Sequence, residues 1–542
     1  MNSSGMQRSA SERPLTRRQF LWWLGRAGGS VAGAMIALKI ARAEAQPAFR
    51  LDGQAPAKRR RVLILGAGVS GMCVAHELGK LGYDCLILEA RARPGGRNWT
   101  VRGGTAETEI GGREQTCRFT DGLFMNAGPM RISPMQETTI GYCREFGVKL
   151  VPFVDVNEAA YVYRPGFPRM RLREVKADWL GYTSELLSKA VAQDKLDLPF
   201  SAEDRKLLLE TLRGEGGLSS EGRYPNPAWN AGAPVGMDEN PRGFLQMPGA
   251  SGEAGVPTVA TDFQALVRSG YFGLTGGVPG SIWWQDTMLT PEGGMDRLAY
   301  GFAGRLQGRI RYQSVVDDLR RNTDGTVTAG FRDLTQDGRR HEAAADFCVS
   351  AIPPVPLRRI KADFAATTQA AIATPRGGSA GKMGIQFARR FWELDDDIYG
   401  GASYTTLPIT QIVYPFDRFG EKRGVLLGYY HFGDAKKELN DVPIEARQRT
   451  ALAQGAQIHP QYANDFETAF SVAWERVPWS EMPWVEWRSA DDFERTLKTL
   501  AEPDGPYYFA GDWLSHMNAW QAGAFASAHQ VCRTLHARAL ST

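Results

Sequence analysis

Apolar positions along the chain fall into short unbroken runs, helical patterns and strict alternation, and each predicts a different element. Val62-Leu63-Ile64-Leu65 is an apolar run of strand length, and Cys85-Leu86-Ile87-Leu88 is a second that ends at Glu89. Between them, Gly66-Ala67-Gly68-Val69-Ser70-Gly71 opens a helical pattern through Val74, Ala75 and Leu78 that breaks at Gly82. The predicted order is strand, glycine turn, helix, strand. Residues 170–215 carry a Leu and Lys/Glu periodicity around Leu186–Leu212 that predicts helix. Residues 214–258 are rich in Gly and Pro, and a loop of that length is usually functional or mobile. Around Gln313–Ser350 two strand-like runs flank Asp324-Gly325, a hairpin signal. In Lys382-Met383-Gly384-Ile385-Gln386-Phe387 the apolar Met383, Ile385 and Phe387 alternate with a second face that carries Lys382.

The N-terminus has a pattern of its own. Thr16-Arg17-Arg18-Gln19-Phe20-Leu21 matches the twin-arginine pattern, and a 12-residue apolar run from Ala27 to Leu38 lies beyond it, between Arg26 and Lys39. That run is too short for a membrane span and has the length of a signal h-region, with Ala43-Glu44-Ala45 as a cleavage candidate. Residues 1–45 therefore read as a twin-arginine signal peptide, and a periplasmic or secreted protein is expected. The net charge of +4 is also located there, because this segment holds seven basic and two acidic residues and leaves −1 on the remainder. A near-neutral body offers no electrostatic case for nucleic acid or an anionic membrane surface. No other uninterrupted apolar stretch is long enough to predict a stable membrane span. At 542 residues, 43% hydrophobic and 23% charged, the chain has material for two to four domains and a large core. Its six cysteines form no C-x-x-C pair and no metal-spaced cluster with His, so no metal is expected and buried thiols are. Asp395-Asp396-Asp397 reads as a solvated turn rather than a metal site.

The glycine turn carries the first chemistry. Gly66 permits a tight turn, Gly68 lets the backbone approach a pyrophosphate, and Gly71 lets the helix pack closely on the strand. The helix N-terminus then offers N–H groups and a positive dipole to phosphates. Glu89 stands 18 residues after Gly71, where an acid meets ribose hydroxyls. With strand, helix and acid all in place, the pattern predicts a Rossmann-type dinucleotide site.

The residues beyond Glu89-Ala90 point to FAD. Arg93-Pro94-Gly95-Gly96-Arg97 resembles the extended FAD fingerprint of the flavin amine oxidase family, with Arg97 in reach of a pyrophosphate. Tyr507-Tyr508-Phe509-Ala510-Gly511-Asp512 resembles that family's C-terminal FAD motif, whose acid bonds the ribityl chain. The family usually has Glu where this chain has Asp512. Ala522-Gly523-Ala524 would begin the last helix, its N-terminus toward the flavin. Val315-Val316 resembles the strand that touches the adenine, with Val316 the better fit, and Pro291-Glu292-Gly293-Gly294-Met295 resembles another family segment ahead of a helix. The resemblance covers about residues 60–540. It implies noncovalent FAD, since no Cys stands where covalent monoamine oxidases carry one, and the last, Cys532, lies beyond the flavin motif.

Within the family the chain most resembles the L-amino acid oxidases. Asn126-Ala127-Gly128-Pro129-Met130-Arg131-Ile132 is similar to the segment bearing the carboxylate-binding arginine, a fit for a planar, always-charged guanidinium. Gly424-Val425-Leu426-Leu427-Gly428-Tyr429 resembles the strand with a second carboxylate ligand, Tyr429, although Tyr430 is its direct neighbour. Asn518-Ala519-Trp520 matches the aromatic beside the substrate, where the family often has His-Gly before the Trp. Lys382 resembles the lysine that holds a water against flavin N5. The resemblance implies that Arg131 and Tyr429 hold an L-amino acid and Trp520 walls its amine side. Hydride then passes to FAD, and O2 and water yield a 2-oxo acid, ammonia and H2O2. Two alternatives stay open: an amino acid 2-monooxygenase, and a monoamine or polyamine oxidase, against which Arg131 argues. A flavoprotein with its catalysis lost is a third, different class, and a homodimer is left open.

The expected fold is α/β. A discontinuous Rossmann-like FAD-binding domain would come from 59–112, 285–360 and 500–542, and a β-rich substrate-binding domain from 113–165 and 361–499. A helical insertion, 166–284, would help form the entrance.

Overall fold

A computed structural model describes residues 48–51, 53–225, 241–247, 249, 255–275, 282–433 and 438–541. The signal-peptide reading of 1–45 lies outside these, as does part of the Gly/Pro-rich stretch after 214. Among the described residues no helix is long and apolar enough to cross a membrane.

The first element is the strand Arg61–Leu65, the centre of a five-stranded sheet. Its neighbours are Asp84–Leu88 and Phe347–Ser350, flanked in turn by Ile310–Arg311 and Tyr507–Phe509, and every pairing is parallel. Parallel strands are covered on both faces, which is why the run is apolar without alternation. Val62 and Ile64 enter a core with the helix Val69–Lys80 and the final helix Gln521–Ser541, while Leu63 and Leu65 enter a second core on the other face. The hairpin at Asp324-Gly325 is present, with Ser314–Arg321 antiparallel to Val327–Asp333.

A seven-stranded mixed sheet forms the other half. Its second strand, Ala380–Phe387, is buried along its length between the edge strand Phe466–Ala473 and Gly424–Phe432. Met383, Ile385 and Phe387 enter one core with Tyr429 and Leu426, as alternation requires. The 170–215 periodicity resolves into two helices, Leu172–Ala192 and Ala202–Glu215, the second capped by Ser201, whose hydroxyl accepts from the Asp204 N–H at 3.1 Å. All six cysteines are buried free thiols. Asp396 departs from the solvated-turn reading. It is 4% exposed, and its carboxylate bonds His459 Nδ1 at 2.9 Å and accepts from the Tyr161 hydroxyl at 2.7 Å.

One buried ion pair joins distant segments. The Arg447 guanidinium grips Glu109 in bidentate fashion, one bond being 2.8 Å, and also donates to the Asn440 carbonyl at 2.7 Å. Arg447 is 0% and Glu109 3% exposed. Arg113 makes a second, longer approach to the same carboxylate, at 3.7 Å. Removing one partner of such a pair costs about 3–5 kcal/mol because the other charge is left buried. Arg447→Leu should therefore lose stability on that scale in chemical denaturation; a loss under about 1 kcal/mol would show that Arg113 or solvent takes over the Glu109 carboxylate.

Candidate active site

A cavity of about 1000 Å³ runs from the glycine turn to the seven-stranded sheet. Gly66 opens it at φ +98°, and its N–H donates to the Leu88 carbonyl at 2.8 Å. A Cβ on Gly68 would meet nothing within 4 Å, whereas one on Gly71 would lie 2.2 Å from the Gly66 carbonyl oxygen. Gly68 is thus an open cradle over the N-terminus of Val69–Lys80, and Gly71 is the point of contact between helix and strand. Glu89 closes this end. Buried at 3% exposure, it accepts from the Ala67 N–H at 2.7 Å and the Arg91 N–H at 2.9 Å, which leaves lone pairs for hydroxyl donors. Ala90 and Val316 line the same end.

The middle of the cavity is bounded by Arg97, Gly511 and Asp512. Arg97, expected against a pyrophosphate, is paired here with Asp512 and also donates to the Pro483 carbonyl at 2.8 Å. The Asp512 carboxylate in turn accepts from the Ala519 N–H at 3.1 Å. Asn98 is 3% exposed on this wall, and neither its amide nitrogen nor its carbonyl oxygen has a protein partner. The final helix points its first turn at the cavity through Gln521 and Ala524. Ala522 and Gly523, expected there too, do not line it. Gly523 packs on the preceding loop, where a Cβ would lie 2.2 Å from the Met517 carbonyl oxygen.

The far end gathers the polar residues. Gly128, Pro129, Met130 and Arg131 line it from one side. Their segment is fixed by Trp474, whose Nε1 donates to the Ala127 carbonyl at 3.1 Å, and by Ile132, bridged to Leu289. The Arg131 guanidinium lies 4.1 Å from the Trp284 ring centroid and 3.2 Å from Asp155. Lys382 comes from the facing sheet at 3% exposure and donates to the carbonyls of Asn126, at 3.1 Å, and Gly128. Burial pulls its pKa well below the usual lysine range, and the Arg131 charge adds to this. Trp520 packs edge-on against Trp284 at 5.7 Å.

Tyr429 is not part of this group. It points to the opposite face of its strand, fully buried, with its hydroxyl 2.8 Å from Ser471 Oγ. Tyr430 takes the place expected of it, lining the cavity with its ring centroid 4.5 Å from the Lys382 amine. A register shift between Gly424–Phe432 and Ala380–Phe387 is the cause: Met383 pairs with Tyr429 but Gly384 with Leu427, so Gly428 is extra. The extra residue inverts the alternation, placing Val425, Leu427 and Tyr430 on one side and Leu426 and Tyr429 on the other. A glycine inside a strand pattern is the signal for such a bulge. Asp155 and Asp286, also on the cavity wall, had no sequence signal. Away from the cavity, His76, Glu77 and Glu145 come together in metal-like fashion, but Lys80 stands 3.0 Å from each glutamate and supplies their positive charge.

A parallel sheet whose first glycine turn is shaped to receive a dinucleotide, opening onto an arginine and a buried lysine, fits the class of dinucleotide-dependent oxidoreductases. The chain belongs to the flavin containing amine oxidoreductases, whose profile it matches over residues 69–536. It is 27% identical over 518 residues to the flavin-dependent L-tryptophan oxidase RebO of Lentzea aerocolonigenes, covering 88% of this chain and 98% of that one. It is 24% identical over 486 residues to an L-amino-acid oxidase of Daboia russelii, covering 85% and 86%. Among solved structures, wild-type putrescine oxidase bound to putrescine superposes with a TM-score of 0.57 at 19% identity, covering 89% of this chain and all of that one. Cyclohexylamine oxidase from Brevibacterium oxydans IH-35A gives 0.57 at 16%. The open cradle at Gly68, the buried Glu89 and the unpartnered Asn98 amide fit the flavin that this family carries.

Ala519, just before Trp520, is held at φ +67°. Left-handed backbone costs a residue with a Cβ roughly 1–2 kcal/mol, partly offset by the chain entropy that a glycine loses on folding. Ala519→Gly should therefore raise the stability of the flavin-loaded protein by up to about 1 kcal/mol, read as a higher melting temperature. A lower one would mean that the alanine methyl contributes packing worth more than the strain.

Proposed function

We propose that the protein oxidises L-amino acids with noncovalently bound FAD, converting amino acid, O2 and water to 2-oxo acid, ammonia and H2O2. The observation that carries this reading is Arg131, a guanidinium stacked on Trp284 at the end of the cavity that also holds Lys382, Tyr430 and Trp520. A planar fork meets a carboxylate with two parallel hydrogen bonds and stays charged at any working pH. An amine substrate would have nothing to give it. Proteins named L-amino-acid oxidases among the relatives support the same reading, whereas putrescine oxidase shares the fold at lower identity.

The chain's residues divide the work. Arg131 binds the carboxylate on the side that Asp155 leaves open. Tyr430 and Trp520 wall the space beside it. Lys382, bonded to two carbonyls and with its pKa pulled down by burial, is placed to hold a water by hydrogen bonding. The chemistry that the flavin supplies when bound is acceptance of two electrons and a hydrogen from the substrate carbon. Residues from both halves line that region.

Arg131→Leu should lower kcat/KM for a good L-amino acid by at least about tenfold, since a hydrogen bond to a charged group is worth roughly 1.5–3 kcal/mol. Oxidation of the matching decarboxylated amine should not fall. The ratio of the two, measured in flavin-replete protein, is the test; an unchanged ratio makes Arg131 structural and removes the amino acid from the reading. Separately, denaturing the yellow protein should release its flavin into solution, and colour retained in the precipitate would exclude the noncovalent state.

A further inference from the structure

The strand Leu150–Val154 runs antiparallel to Thr287–Pro291, with Val154 opposite Thr287. One step along the same register Asp155 stands opposite Asp286, and its N–H donates to the Asp286 carbonyl at 2.9 Å. Like charges directly opposite on paired strands are destabilising, so this ladder ends in an arrangement that folding alone does not favour. Both carboxylates line the cavity beside Trp284 and Tyr404.

Their partners are unequal. Asp155 lies 3.2 Å from Arg131. Asp286 is exposed and has no ion-pair partner among the described residues. Lys176, the other cation at this end, is engaged by Glu158 at 2.6 Å. Lys382 lies deeper and is bonded to two carbonyls. Arg131 therefore balances one of two carboxylates before any substrate arrives. A substrate carboxylate on the open edge of Arg131 would share that positive charge, so that three carboxylates would then face one guanidinium. A neutral side chain does nothing to relieve this, and a cationic one does. An ammonium or guanidinium there would also lie near the ring of Tyr404, a favourable neighbour for a cation.

We propose that the substrate is an L-amino acid with a cationic side chain, received by Asp155 and Asp286 at the mouth of the cavity. The inference rests on the amino acid reading of Arg131 and narrows it to a substrate class.

L-Lysine and L-norleucine differ by one terminal ammonium, which isolates the effect. In flavin-loaded protein kcat/KM for lysine should exceed that for norleucine by at least about tenfold, as expected for one charge pair near a protein surface. The preference should shrink as salt is raised, because exposed charges are screened. Asp286→Asn should cut it at least about threefold with flavin content and melting temperature unchanged, and Asp286→Asn with Asp155→Asn should cut it further. Norleucine oxidised as well as or better than lysine overturns the proposal and leaves the amino acid reading standing. So does a lysine preference that neither variant alters. If neither amino acid reduces the bound flavin while pentylamine or cadaverine does, the amino acid reading falls and takes this inference with it.

Discussion

The amine of Lys382 donates to the carbonyls of Asn126 and Gly128, and the geometry of the cavity hangs from that contact. A lysine at 3% exposure has lost most of its hydration. Losing a proton is the cheapest way to bear that loss, which is the direction its pKa takes. The amine donates two hydrogen bonds, and two carbonyls are there to receive them. The contact therefore satisfies the buried group and at the same time ties the strand Ala380–Phe387 to the segment that ends in Arg131. It acts together with the Trp474 Nε1 bond to the Ala127 carbonyl, which ties the same segment to the end of the neighbouring strand Phe466–Ala473.

From Gly128 the constraint passes across the cavity. A Cβ on Gly128 would lie 1.9 Å from the Arg97 carbonyl oxygen, so only glycine lets the two segments touch. The Arg97 side chain pairs with Asp512, and Asp512 accepts from the N–H of Ala519, the residue before Trp520. Segments near residues 97, 128, 382, 512 and 520 are thus linked by contacts in which each fixes the next. This is how a site assembled from distant parts of the chain can hold its groups to the tolerance that catalysis needs.

The sequence shows these links unevenly, and the reason is physical. The glycine turn is legible because the positions that admit only glycine are spaced by backbone geometry, as Gly71 against the Gly66 carbonyl makes plain. Lys382 is legible because strict alternation sets it apart from Met383, Ile385 and Phe387. Tyr429 and Tyr430 are not told apart by alternation, since the bulge at Gly428 resets the period between them. Asp155 and Asp286 are silent in the sequence because their meeting depends on a pairing between strands more than a hundred residues apart. Arg97 and Asp512 are each visible as motif members, but their contact with one another belongs to the fold.

The distribution of charge is then set by burial. Two protonated cations side by side in the deep pocket would each raise the cost of the other, and Arg131 and Lys382 are close enough for this to count. An arginine cannot give up its proton in a protein, whereas a lysine can. The strain of the pair therefore falls on Lys382, whose pKa is pulled down, and Arg131 is the fixed positive charge there. Asp155 meets that charge from the outer side, where its own burial and the nearby Asp286 push its pKa up and the Arg131 cation opposes them. On the proposed amino acid reading, a substrate carboxylate would arrive on the remaining edge of a guanidinium already held beside Trp284 and Asp155. On that reading anion recognition would need no rearrangement of the arginine, and the buried lysine, its pKa pulled down, would act as a hydrogen-bonding group more than as a second counter-ion.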